Sequence, residues 1–279
     1  MSRFDRAISL LTEHHGSTRS AGILRCLWGL ILWARWANEL LPFKRHELDH
    51  YVLGLLFFAS TFGMVIGFFS RLSCFVAGLV TLTMVFYYGY IVGFESWSHH
   101  HTTFLAVVTF VLAFTPSGQS FSLDRVLAIR KAEKQGLSWP TEFGNVWALR
   151  LIGLQLSAIY FWGAIDKCRL AYLGGDRIEQ PFMYLYFGSD YPGDWFHFFA
   201  IGLAVSTVTL EYFLAFGLWV RRVMFPLMIL GVLFHIGIYY LLPVTVFSVA
   251  SVAAYLAYMP PDEVHRFIDR MFGIRSVEE

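Results

Sequence analysis

Of 279 residues, 57% are hydrophobic and 18% aromatic, and only 15% are charged. That is too little charge to cover a water-soluble protein of this size, and a net charge of +1 gives no footing for nucleic acid. The excess apolar residues lie in long runs, which predicts an all-α fold: a polytopic helical bundle of about eight transmembrane helices, with the lipid bilayer of the cell membrane as its immediate partner.

The first twenty residues, MSRFDRAISLLTEHHGSTRS, hold two acids and no sustained apolar core. They do not read as a cleaved signal peptide, and residues 1–20 are expected to form a short cytoplasmic amphipathic segment. Apolar windows then follow at roughly 21–42, 50–69, 72–94, 101–116, 145–166, 196–219, 223–241 and 243–259. They define a transmembrane domain over 21–260, followed by a cytoplasmic tail over 261–279. The last two windows meet at Leu242–Pro243, a tight turn. Between the fourth and fifth lies LDRVLAIRKAEKQGL, whose helical spacing and basic face place it along the membrane surface. Between the fifth and sixth lies GGDRIEQPFMYLYFGSDYPGDW, aromatic and rich in turn residues, which reads as a lid or re-entrant cover. Cys26, Cys74 and Cys168 form no CxxC pattern, and no disulfide is expected.

Thirteen Lys and Arg fall in the segments on the N-terminal side of the membrane and five on the other; Arg25, Arg35 and Arg150 lie within windows. The excess predicts cytoplasmic termini. His99, His100, His101 and Lys167 then share the outer face.

Ionisable residues deep in a bilayer should face the bundle interior and find partners. Glu211 in VSTVTLEYFLAFGLW, His235 in GVLFHIGIYY and Arg35 in LILWARWANEL are the three such residues. Glu211 is either a buried anchor, paired with Arg35, a Tyr hydroxyl or a histidine, or a proton carrier. His235 has Tyr239 one turn on, so one helix face offers an imidazole and a phenol. Arg25 and Arg150, near span ends, are expected to snorkel to water. His99 and His100 read as a solvated helix start, with His101 carried into the span. No metal is expected, because adjacent helical residues point about 100° apart and cannot converge as ligands. Lys167 closes the fifth span in QLSAIYFWGAIDKCR. Gly163 and Ala164, one turn back, leave space beside it for close packing or for a ligand. Tyr160 shares its face, and Tyr160, Phe161 and Trp162 are candidate walls for a flat apolar ligand.

The stretch SWSHHHTTFLAVVTFVLAFTPSGQSFSLDRVL resembles the HTTM family, the membrane domain shared with vitamin K-dependent γ-glutamyl carboxylases. His101 opens a span that ends at a polar turn, Pro116–Gln119, followed by Ser122–Asp124. AIYFWGAIDKC is similar to the family segment that carries Tyr160, Phe161 and Lys167, with the small pair reversed as Gly163–Ala164. LEYFLAFGLWVRR and LFHIGIYYLLPVTVFSVASVAAYL resemble its glutamate-bearing and histidine-bearing spans. The matches run in family order over roughly residues 20–260.

The resemblance implies a quinone or hydroquinone cofactor of the vitamin K kind. Lys167 would be the base that deprotonates the hydroquinone, with His101 nearby. Oxygenation then yields a stronger base that takes a glutamate γ-proton, and carbon dioxide adds. Tyr160, Phe161, Trp162, Glu211, His235 and Tyr239 would surround the cofactor, and a peptide or protein substrate would arrive at the outer face. A lysine acts as a base only as the neutral amine, a form that an apolar surrounding favours. Two departures stand out. Asp166 occupies a position where the carboxylases tend to have another lysine, and a carboxylate there would favour the charged form of Lys167. The chain also ends about twenty residues after its last span, without the large lumenal part of the carboxylases. The competing reading is a non-enzymatic membrane partner in maturation or export of a small secreted peptide. A quinone-linked electron-transfer subunit would need a haem or iron–sulfur ligand set, which the sequence does not offer.

Overall fold

The computed structural model describes residues 12–41, 48–241 and 245–273. The expected turn at Leu242–Pro243, the Lys44–Arg45 pair and most of the N-terminal segment lie outside them. The chain divides into two compact units, Met1–Gly153 with Ala253–Glu279 and Leu154–Val252.

A helix occupies each of the eight apolar windows. These are α1 (Arg19–Leu40), α2 (Leu48–Ile66), α3 (Ser70–Met84, running on as a π-helical stretch Val85–Ile91), α5 (His100–Leu112), α7 (Ala148–Lys167), α10 (Asp194–Gly217), α11 (Arg221–Leu241) and α12 (Thr245–Ala254). A short α4 (Glu95–Ser98) precedes α5, and α6 (Leu123–Lys134) is the basic surface helix. Two short helices, α8 (Leu170–Leu173) and α9 (Asp176–Phe182), fill the expected cover segment, and α13 (Pro261–Phe272) follows the last window. Among the described residues, four stretches are both long and apolar enough to cross a membrane: Ser70–Ile91, Ala148–Lys167, Asp194–Gly217 and Arg221–Leu241. His50–Ile66, His100–Leu112 and Val246–Ala257 are apolar but shorter.

In the first unit, α1 packs on α2, α2 on α3 and α3 on α5. Close approach explains the small residues. A Cβ at Gly78 of α3 would sit 2.6 Å from the Phe110 Cα of α5, so only glycine lets these backbones meet. Trp28 of α1 is fully buried, and its indole N–H donates to the Leu105 carbonyl at 3.1 Å and to the Thr109 hydroxyl at 3.2 Å. This satisfies the one polar group of a large apolar ring. A two-stranded antiparallel sheet, β1 (His15–Ser17) with β2 (Phe143–Asn145), closes one end and puts Gly16 opposite Gly144. β1 lies in the described part of the segment expected over residues 1–20. Strands of three residues are too short to leave a periodic signal.

Arg25 corrects another expectation. It does not snorkel to water but is fully buried, donating to the carbonyls of Met64 and of Phe121, the latter at 2.7 Å. Those carbonyls belong to the chain ends around α2 and α6, where backbone acceptors have no helical partner. Arg150 is half-buried, with its guanidinium 3.0 Å from the His14 imidazole.

The Ser122–Leu123–Asp124 turn has a clear structural role. Ser122 caps α6, its hydroxyl accepting from the Arg125 N–H at 3.0 Å. The Asp124 carboxylate reaches back to the start of α3. There it accepts from the N–H groups of Phe69 and Ser70, both at 2.8 Å, and from the Ser70 hydroxyl at 2.7 Å. Phe69 adopts a left-handed φ of 43°, a conformation that costs energy in a bulky residue and needs such fixing. Asp124→Ala is therefore expected to lower stability by about 2–3 kcal/mol, because it strands donors at a helix start. Asp124→Asn, which keeps one acceptor, should cost roughly half of that. Thermal unfolding of the three proteins in one detergent checks both values.

Candidate functional site

The second unit brings together the polar residues that its helices carry inside apolar sequence. Lys167 ends α7, and Glu211 lies three-quarters of the way along α10. The Lys167 Nζ donates to both Glu211 carboxylate oxygens, each at 2.8 Å, and to the Gly163 carbonyl at 3.3 Å. The three hydrogens of an ammonium thus meet three acceptors. The Glu211 side chain is 8% exposed and that of Lys167 29%, so the acid is the interior partner and the base faces the rim. Of the partners that the sequence left open for Glu211, none forms this pair. Arg35, one of them, instead bonds Glu39 at 2.7 Å, with its guanidinium 5.7 Å from the ring centres of Trp36 and Trp97.

Gly163 makes room for the pair. A Cβ there would stand 3.3 Å from the Lys167 Nζ and 3.5 Å from a Glu211 oxygen. Asp166, expected to act on Lys167 because it is the adjacent residue, does not. It points away, 71% exposed, and bonds Arg169 at 2.6 Å. Neighbouring helical positions diverge by about 100°, so adjacency in sequence separates them in space.

A second pair lies deeper. The Tyr160 hydroxyl and the His235 Nε2 are 2.7 Å apart, and both residues are 2% exposed. The phenol beside His235 therefore comes from α7, whereas Tyr239, its expected neighbour on α11, is exposed. Tyr160 stands two turns before Lys167, about 10 Å along the helix axis, so one face of α7 presents both pairs. Of the three expected ligand walls, only Tyr160 is buried. Phe161 is half-buried against Tyr212 and Phe216, and Trp162 is exposed on the outer surface of its helix.

Tyr172 on α8 was not singled out by the sequence. Burial pushes its hydroxyl up to about 12; a bond with Thr207 opposes this, and the Glu211 charge adds to it. Tyr172 therefore stays protonated and can donate near the carboxylate. Its place five residues after Lys167, beyond the end of α7, hid it. Next to α8 and α9 an open cavity of ≈ 560 Å³ is lined by Ala171, Asp176, Arg177, Glu179, Gln180, Met183 and Tyr191. On its rim the Glu179 carboxylate bonds the His197 ring at 2.6 Å.

His101 belongs to the first unit. His99 forms the N-cap of α5 and is exposed, as is His100, while His101 is half-buried. Its ring stacks on His99 at 5.1 Å and meets His100 edge-on at 5.7 Å. No group of three His, Cys, Asp or Glu among the described residues is arranged to hold a metal ion.

No curated protein and no solved structure matches the chain. A family model does: the HTTM domain, over residues 38–262. That range holds His101, the Ser122–Asp124 turn, the Lys167–Glu211 pair and the Tyr160–His235 pair. With most of its length inside the match, the chain belongs to the HTTM domain family.

Proposed function

We propose that this protein is a carboxylase-like enzyme of the cell membrane that works with a hydroquinone, with Lys167 and Glu211 as its proton-handling pair. The observation that carries the reading is the doubly bonded Lys167–Glu211 pair inside apolar helices. An ion pair taken out of water is costly unless its geometry is good, and membrane proteins keep such groups where they move protons or bind substrates. The donor set suits a quinone-type ligand. An ammonium and a carboxylate side by side can donate to and accept from its oxygens, and the exposed Trp162 beside the half-buried Phe161 gives an apolar ring an approach from the bilayer. When bound, the hydroquinone supplies the reducing equivalents. The chain's part is proton management. Transfer from the Lys167 Nζ to a Glu211 oxygen, along a contact of 2.8 Å, turns two buried charges into two neutral groups. The neutral amine can then take up a proton. Tyr160 and His235 form a second proton-exchanging pair two turns away along α7.

The test is the purified protein in nanodiscs with a reduced naphthoquinone, scored by hydroquinone oxidation and by labelled carbon dioxide entering a glutamate-containing peptide. Lys167→Ala should lower both by about 10²–10⁴-fold. Gly163→Ala, which crowds the Nζ, should give an intermediate loss, and His99→Ala should leave the rate largely intact. Equal rates for the native protein and Lys167→Ala would overturn the assignment.

The second reading, a non-enzymatic partner in peptide maturation or export, is favoured by the open cavity beside α9, which carries both signs of charge. It predicts peptide cross-linking there that survives Lys167→Ala. Both readings place the site at the outer face of an approximately eight-span bundle with cytoplasmic termini. Reporter fusions after Ser98 and after Gly174 should then read outside, and one after Gly136 inside. The reverse at all three would move Lys167 to the cytoplasm.

A further inference from the structure

We infer that the end of the first unit carrying α6 and α13 is a docking surface for anionic lipid headgroups. The first ground is apolar area that the protein does not cover. Helix α13 buries Pro261, Val264 and Ile268 against α1 and β1. Its apolar arc continues past that face: Phe267, three residues on from Val264, lies about 60° to one side and is 65% exposed, and Met271 on the same side is 61% exposed. On α6, Val126 and Leu127 are exposed, as are Leu137 and Trp139 just after it.

The second ground is how the charges are sorted. Four acids of this end are held by hydrogen bonds or ion pairs within the protein, while Glu133 on α6 is exposed among the bases. Asp124 caps α3, Asp262 accepts from the Ser17 N–H at 3.1 Å, and Asp269 takes the Arg19 guanidinium at 2.5 Å. Glu142 bridges Arg19 at 2.8 Å and Arg125 at 3.3 Å. That chain of ion pairs ties the start of α6 to α13 and holds the two helices at one end of the unit. The bases are turned outward: Arg130, Lys131 and Lys134 on α6, Arg266 and Arg270 on α13, all exposed. Exposed Phe, Met and Trp beside exposed Arg and Lys match the boundary between acyl chains and phosphates.

The third ground is reach. The last apolar helical stretch ends at Ala257, and α13 begins at Pro261. Three intervening residues span about 10 Å at most, so the start of α13 stays close to the membrane surface that the stretch enters.

The experiment uses the full chain in nanodiscs of phosphatidylcholine with or without phosphatidylglycerol. Nitroxides placed by Phe267→Cys, Met271→Cys and Glu263→Cys, in a Cys168→Ser background, report depth through collisions with oxygen and with a water-soluble nickel chelate. Positions 267 and 271 should be shielded from nickel and 263 wetted. In native mass spectrometry, phosphatidylglycerol retention should fall about fivefold for each charge removed in Arg266→Gln, Arg270→Gln and Lys131→Gln, and should not change in Arg169→Gln. Nickel access at 267 equal to that at 263 would overturn the inference, as would retention unaffected by the three charge variants. Shielding of 267 in cell membranes but not in lipid nanodiscs would assign the surface to a protein partner and equally overturn it.

Discussion

Lys167→Met should lower stability by about 3–5 kcal/mol, the cost of leaving one member of a buried ion pair alone. Glu211→Gln should cost about 1–2 kcal/mol. The asymmetry follows from depth. Removing Lys167 strands a carboxylate that is 8% exposed and cannot reach water. Removing the charge of Glu211 leaves an ammonium near the end of its helix, 29% exposed, on a stem long enough to swing towards the interface. The pair Lys167→Met with Glu211→Leu, apolar and similar in volume, should recover most of the stability that Lys167→Met loses. All three proteins should be inactive. The measurement is a double-mutant cycle closed with the Glu211→Leu single variant, by unfolding in nanodiscs, with hydroquinone oxidation assayed on the same preparations. A double variant as unstable as the sum of its parts would mean that the two side chains do not act as a pair. A double variant that is stable and active would remove them from the mechanism.

The same pair marks how far sequence reasoning reached. Glu211 and His235 were legible as costly polar residues within apolar windows, because the price of burying charge depends only on composition and depth, and Lys167 was legible as the base that closes the fifth span. Their partners were not legible. Forty-four residues separate Lys167 from Glu211 and seventy-five separate Tyr160 from His235, and helical periodicity does not say which helix faces which. Proximity in sequence misled twice. Asp166 adjoins Lys167 but points outward to Arg169, and Tyr239 shares a helix with His235 while Tyr160 on α7 makes the bond. The eight apolar windows became helices because hydrophobic length is read locally. The π-helical stretch Val85–Ile91 and the broken α8 and α9 did not announce themselves. Their course depends on packing, such as the stacking of Tyr88 on Phe94 and its tilted contact with Trp97. Arg25 was misread for a related reason: its acceptors are backbone carbonyls, which carry no side-chain signature.

Arg19→Ala is expected to destabilise the first unit by about 3–5 kcal/mol. Arg19 is the first residue of α1, and one guanidinium serves two carboxylates there. Its Nε and Nη2 bond Glu142 at 2.9 and 2.8 Å, and its Nη1 bonds Asp269 at 2.5 Å and the His265 carbonyl at 3.2 Å. Both acids are shielded, with side chains 17% and 8% exposed. Truncation leaves two negative charges facing each other across the space of the lost fork, with Arg125 and the Ser120 hydroxyl near Glu142 and His265 near Asp269 to compensate in part. Arg19→Lys should recover only part of the loss, because a single ammonium cannot direct hydrogen bonds along the two sides of a planar fork. The damage should be local before it is global. β1 and α13 depend on this joint, since the Ser17 hydroxyl bonds the His265 ring at 2.8 Å and the Ser17 N–H bonds Asp262. Hydrogen exchange should therefore quicken first at residues 15–18 and 261–272, while the amides of α10 and α11 in the other unit keep their native protection. An Arg19→Ala protein within about 0.5 kcal/mol of the native stability would show that Arg125 and His265 suffice to neutralise the two acids, and that the joint does not depend on the fork.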